Sequence, residues 1–189
     1  SGTPGNYSVT KVNGALTMKK ANEAITITAA SDSWTYDGAA HKNTGVTVTA
    51  GNLLPGDTLM ATAAGSVTNV SDTTDGNNPI AAGYKVMHGT EDVTANYTIT
   101  PAAGTLTILP KAVTVKAASG AFTYNGAPRS NAGYYVTGLV GSDTITAVVE
   151  GSITFPSESP VTNELKSYTF TSGTPGNYSV TKVNGALTM

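Results

Sequence analysis

The chain of 189 residues has no cysteine. No disulfide framework can staple it, and no thiolate is available as nucleophile or metal ligand. Charge is also scarce, with 12% Asp, Glu, Lys and Arg and a formal net charge of −2. That excludes a basic stripe for nucleic acid and a polybasic patch for an anionic membrane. No apolar run approaches the roughly 18 residues of a membrane-crossing helix, so membrane insertion is not expected. His41 and His88 are the only histidines. They do not cluster with other ligands at metal-site spacing, and they read as ordinary surface or loop residues. The G-x-S-x-G nucleophile elbow is missing too. No catalytic, cofactor-binding or metal-ligating residue is predicted, and the chain reads as a non-enzyme.

What the chain does have is Thr, Ser, Gly, Ala, Val and Asn, the residues of pleated strands and their turns. It also has a duplication. Ser172 to Met189 reads SGTPGNYSVTKVNGALTM, and Ser1 to Met18 reads the same, letter for letter. Identity over such a run signals a tandem array. The chain is expected to be one full period of a longer protein plus the overlap where the next period begins.

Within the period lies a second, diverged repeat. Trp34-Thr35-Tyr36-Asp37-Gly38-Ala39 matches Phe122-Thr123-Tyr124-Asn125-Gly126-Ala127. Further on, Asp57-Thr58-Leu59 matches Asp143-Thr144-Ile145, and Gly65-Ser66-Val67 matches Gly151-Ser152-Ile153. Tyr84-Lys85-Val86 matches Tyr168-Thr169-Phe170, and Asn96-Tyr97-Thr98-Ile99 matches Asn177-Tyr178-Ser179-Val180. The order never changes. It predicts a tail of a preceding module at 1–18, a first module at 19–109 and a second at 110–189. The connection Leu109-Pro110-Lys111 is too short for a flexible coil, so an elongated, semi-rigid arrangement is expected.

Period-two alternation at Ile25, Ile27, Val113 and Val115 marks strands. Val46, Val48, Leu59, Val67, Val86, Tyr97, Leu106 and Ile108 are further core candidates. Ile145, Ile153, Phe170, Tyr178 and Leu187 are their counterparts. No window has helical periodicity. The fold class is all-β: two tandem homologous modules of sandwich or β-grasp-like topology. Residues 1–18 read as two short strands around Asn13-Gly14. They are expected to pack on the first module or on a neighbouring molecule, while Ser172–Met189 keeps its own place in the second module.

The aromatics at Trp34, Tyr36, Phe122 and Tyr124 recur in place, which fits packing. Trp34 is also a candidate exposed anchor for a partner. Tyr134 and Tyr135 must point to opposite faces of a strand, so one of them is a candidate contact residue. Ser71 to Asn78 is oxygen-rich but lacks the register and closing Glu of a calcium loop, and a solvated loop is expected. A Lys116–Asn177 isopeptide crosslink is conceivable by strand position. Thr28 replaces that lysine in the first copy, however, and Asn177 reads more simply as a turn residue.

Trp34-Thr35-Tyr36-Asp37-Gly38, Leu54-Pro55-Gly56-Asp57-Thr58, Asn96-Tyr97-Thr98-Ile99 and Gly104-Thr105-Leu106-Thr107-Ile108 occur in that order. The series resembles the YDG/MBG-type repeat of bacterial surface proteins, and the second copy follows it with Tyr124-Asn125-Gly126. The resemblance implies long, secreted, wall-anchored adhesins of gut or oral bacteria, built from β-rich repeats. It implies an extracellular location and contact with neighbouring repeats of the same chain. Host surface proteins or glycoproteins, mucin or immunoglobulin, are the implied partners, the latter including superantigen-like binding. A pure stalk repeat without a ligand is a third possibility. The family supplies no catalytic residue and no cofactor.

Overall fold

The computed structural model describes residues 4–189. Strand β1 (Glu23–Ala29) buries Ile25, Ile27 and Ala29 on one face, as its alternation predicts. It is followed by β2 (Asp32–Thr35), β3 (Val46–Ala50), β4 (Asp57–Met60), β5 (Lys85–His88), β6 (Glu91–Asp92), β7 (Tyr97–Ala102) and β8 (Leu106–Leu109). β1 lies between β3, antiparallel, and β7, parallel. β2 pairs in parallel with β8, and β4, β5 and β6 form an antiparallel meander.

The second half repeats this plan with β9 (Lys111–Ala117), β10 (Gly120–Ala121), β11 (Tyr134–Thr137), β12 (Thr144–Glu150), β13 (Val161–Ser172), β14 (Tyr178–Val183) and β15 (Gly185–Thr188). β9 lies between β11, antiparallel, and β14, parallel. β10 pairs in parallel with β15. β12 and β13 form a long antiparallel ribbon, and β13 also pairs with β15. Isolated bridges coincide as well: His41 pairs with Val67, and Arg129 pairs with Ile153. Every strand pairing described stays on one side of Pro110, which alone separates β8 from β9.

The fold is all-β, and most of its core residues are ones the alternation marked, while Leu165 and Ala117 join them and Val46, Val48, Leu59 and Phe170 are only partly buried. Ile25, Ile27, Val86 and Tyr97 form one cluster, and Val67, Leu106 and Ile108 another. Val113, Val115, Ala117, Ile145, Leu165 and Tyr178 form the third, against which Tyr36 of the first half also packs. A β-grasp needs a helix on its sheet. Among the described residues the only helical pieces are 3-10 turns of three residues.

One expectation is overturned. Residues 7–22 form no strand, and none of residues 5–22 is buried. The segment does not pack on the first half, the first of the two places expected for it. The physical reason is occupancy. In the C-terminal copy the same residues are held by β9, β10 and β13. The equivalent positions of the first half are taken by its own β7 and β8. A ribbon of two short strands without a third partner is marginal at best in water.

Candidate interaction surfaces

Each half is closed by a tyrosine that reaches a carboxylate. Tyr178 starts β14, where its ring is buried. Its hydroxyl donates to Asp143 Oδ2 and accepts from the Val140 N–H at 3.1 Å. Tyr97 does the same with Asp57 Oδ2 and the Leu54 N–H. Burial first, and the bond to Asp143 second, push the Tyr178 hydroxyl up to about 12. Tyr97 moves in the same direction for the same reasons. Asp57 is held below the usual carboxylate range, first by the Tyr97 hydroxyl and then by His88. His88 Nδ1 lies 2.6 Å from Asp57 Oδ1. The second half has Ser172 near the corresponding place, so the histidine is an addition to a lock that works without it.

A buried asparagine forms a second lock. Asn78 Nδ2 donates to the carbonyls of Ala30 and Asn43 at 2.8 and 2.9 Å. Asn163 Nδ2 donates to those of Ala118 and Asn131 at 2.7 and 2.8 Å. Asn78 Oδ1 accepts from the Gly65 N–H, whereas Asn163 Oδ1 has no partner. Both side chains are fully buried, and each ties separate loops into one unit.

The two halves meet through a third arrangement. Asn177, in the turn before β14, donates from Nδ2 to Asn69 Oδ1 at 2.8 Å. Its Oδ1 accepts from the Val70 N–H at 2.9 Å. Beside it Tyr36 meets Tyr178 edge to face, with ring centroids 5.4 Å apart. Val140 lies over Gly38, where an added Cβ would come 3.1 Å from Val140 Cγ1. The joint thus combines an amide clamp with an aromatic pair and an aliphatic contact.

The aromatic contact candidates are not brought together. Tyr134 points inward on β11, packs on the core and directs its hydroxyl to the Ile145 carbonyl at 3.4 Å. Tyr135 points outward and is 65% exposed. It pairs with Lys116 on an edge strand, whose far side has no neighbour among the described strands. Trp34 is partly buried in the first half, stacked on His41 at 4.8 Å. Its counterpart Phe122 carries Arg129 over its ring at 5.2 Å. Arg129 therefore stands where His41 does, a match that the sequence comparison missed.

The remaining candidates have structural roles. His41 bridges to Val67 and bonds Asp37 at 2.9 Å, and His88 ends a strand rather than lying in a loop. In the Ser71–Asn78 loop, Asp72 accepts from the N–H groups of Thr68 and Asn69, and Asp75 accepts from Thr105. Among the described residues no three His, Asp or Glu side chains converge as a metal site. Lys116 pairs with Val183, whereas Asn177 precedes Tyr178, which pairs with Lys111. At about 3.3 Å per residue the two are about 20 Å apart along the ladder, too far for an isopeptide bond. Two open troughs, of about 510 and about 410 Å3, lie on the flanks of β13 and β4. The first holds the Lys166–Glu164 ion pair at 2.6 Å. No family model, curated protein or solved structure matches the chain.

Proposed function

We propose that the chain is one period of a non-enzymatic tandem-repeat protein on a bacterial surface, an adhesin that spaces and presents a host-binding surface. In this reading each period holds two β-sandwich modules, 19–109 and 110–189, and the protein is anchored to the cell wall through regions outside the chain. The observation that carries the reading is the identity of Ser1–Met18 with Ser172–Met189. Nothing about folding one domain requires a verbatim copy of its last strands at its start, but a tandem array does. The matched strand pairings of the two halves support it further.

Repetition converts weak single contacts into avidity without new chemistry. The exposed Tyr135, flat and amphipathic on an open strand edge, is the residue assigned to host contact. The partner is a host glycoprotein or protein of the mucin or immunoglobulin kind. Immobilised mucin and serum immunoglobulin are expected to retain a chain of several periods, and Tyr135→Ala to weaken retention without unfolding. If neither surface retains it, the adhesin reading is lost and the repeat is a spacer. The amide clamp at Asn177 favours that second reading, since it stiffens the period whether or not a ligand binds.

A further inference from the structure

The geometry points to a docking face at the far end of the second half, formed by Tyr124, Gly126 and Phe155, that receives residues 19–109 of a following repeat through Leu54. The inference rests on the tandem-array reading, because a following repeat is its occupant.

At the inner joint the first half offers Tyr36 and Gly38, and the second half covers them with Tyr178 and Val140. The counterparts of Tyr36 and Gly38 are Tyr124 and Gly126. Tyr124 is 51% exposed, and a Cβ built on Gly126 would meet nothing within 4 Å. Both glycines have the same left-handed backbone, with φ of 81° and 79°. The covering side has counterparts too. Leu54 corresponds to Val140, since each N–H donates to the hydroxyl of the closing tyrosine. Leu54 is 38% exposed, whereas Val140 is covered at the joint. An uncovered receiving face and an uncovered covering face are thus present on one chain, at opposite halves.

The outer joint cannot copy the amide clamp. Asp72 accepts from the N–H groups of Thr68 and Asn69, as Glu158 does from those of Thr154 and Phe155. Phe155 therefore replaces Asn69, and Pro156 replaces Val70. Phe155 has no side-chain oxygen to accept from Asn96, and Pro156 has no N–H to donate to it. In exchange, Phe155 and Tyr124 stand 6.2 Å apart and make a two-ring apolar patch. An exposed aromatic pair of this kind is what an aliphatic side chain such as Leu54 can cover. The connection differs as well. Lys19, Lys20, Ala21 and Asn22 lie between Met18 and β1, against Leu109 and Pro110 between Ile108 and β9. The outer joint is therefore apolar with a longer leash, and the inner joint adds an amide clamp to its apolar contacts and has a short one.

The absence of native cysteine makes a clean test possible. The full chain is extended after Met189 by residues 19–109, following the order set by Met18-Lys19. Spin labels are placed at Ser152→Cys and at Thr47→Cys of the added segment. The same pair within the original chain serves as reference for the inner joint. A narrow distance distribution is expected across the outer joint. Either Tyr124→Ser with Phe155→Ser, or Leu54→Ser in the added segment, is expected to broaden it at least twofold. These side chains are exposed, so circular dichroism should stay unchanged. A broad distribution in the parent overturns the docking face. So does a narrow one that ignores both sets of substitutions, because rigidity then comes from the connection alone. Host binding is read separately by retention, so a failed joint and a failed adhesin reading are distinct results.

Discussion

The same eighteen-letter text occurs twice in this molecule, and after the Pro-Gly-Asn turn that both copies form the two have different structures. Tyr178 is 7% exposed and Tyr7 70%; Leu187 is 0% exposed and Leu16 104%. From Tyr178 on the text forms β14 and β15, whereas from Tyr7 to Met18 it forms no strand. Local propensity is identical by construction, so it cannot be the cause. The difference lies in the partners: β9, β10 and β13 surround the C-terminal copy. The β-propensity of a segment such as Tyr-Ser-Val-Thr-Lys-Val is a capacity to fit a half-buried pleat, which only the tertiary structure can provide.

Three experiments break or sharpen that comparison. The largest effect is expected from deletion. Removing 172–189 takes away two strands and the buried Tyr178 and Leu187, and should unfold the second half entirely. Removing 1–18 should leave the thermal midpoint within about 1 °C, since none of residues 5–18 is buried. Calorimetry of the two truncated chains decides it, and equal losses would mean that the identical segments are not structurally distinct.

A smaller contrast comes from one side chain. Leu187→Ala opens a cavity at a fully buried site and should destabilise by about 2–5 kcal/mol. Leu16→Ala, at the same letter of the text, should stay within about 0.5 kcal/mol. Urea unfolding of the pair gives both values.

The smallest contrast is polar. Tyr178→Phe leaves Asp143 and the Val140 N–H without their shared partner and should cost about 1–3 kcal/mol, whereas Tyr7→Phe should be silent. The same lock makes a pH prediction. The Tyr178 hydroxyl is raised from 10.0 to about 12 in the fold. Its contribution is therefore fully present below pH 10 and is lost as pH rises toward 12, because the unfolded chain ionises first. Ultraviolet titration should show a tyrosine near 12 that disappears in Tyr178→Phe and persists in Tyr7→Phe.

Much of the fold was legible because it rests on alternation. Ile25 and Ile27, or Val113 and Val115, declare their faces by period two, and all are buried. The internal match was legible in aromatic and turn residues and placed Trp34 on Phe122 correctly. It missed His41 against Arg129, although both follow their aromatic at the same spacing, because the match ends where the letters cease to agree. Asn78 and Asn163 were invisible, since an asparagine in a turn-rich stretch looks the same whether it is solvated or ties two loops together. Of the contact candidates, parity required that one of Tyr134 and Tyr135 face outward. Which one depends on the register of β11 against β9, and that is set by the whole sheet. The Asn177 clamp was unreadable for a further reason: its partners Asn69 and Val70 lie in the other half.

The parallel closure of each half has a mechanical consequence. Tension along the chain enters the second half at Lys111 and leaves beyond Thr188. It draws β9 backward and β14 forward. Because these strands run parallel, every pair from Lys111↔Tyr178 to Lys116↔Val183 is loaded at once, in shear. An antiparallel hairpin pulled from its open end would instead peel one bond at a time. The first half is closed in the same way, by β1 on β7 and β2 on β8. With Pro110 alone between β8 and β9, force passes directly from one such clamp to the next. Each must rupture as a unit before the chain can lengthen.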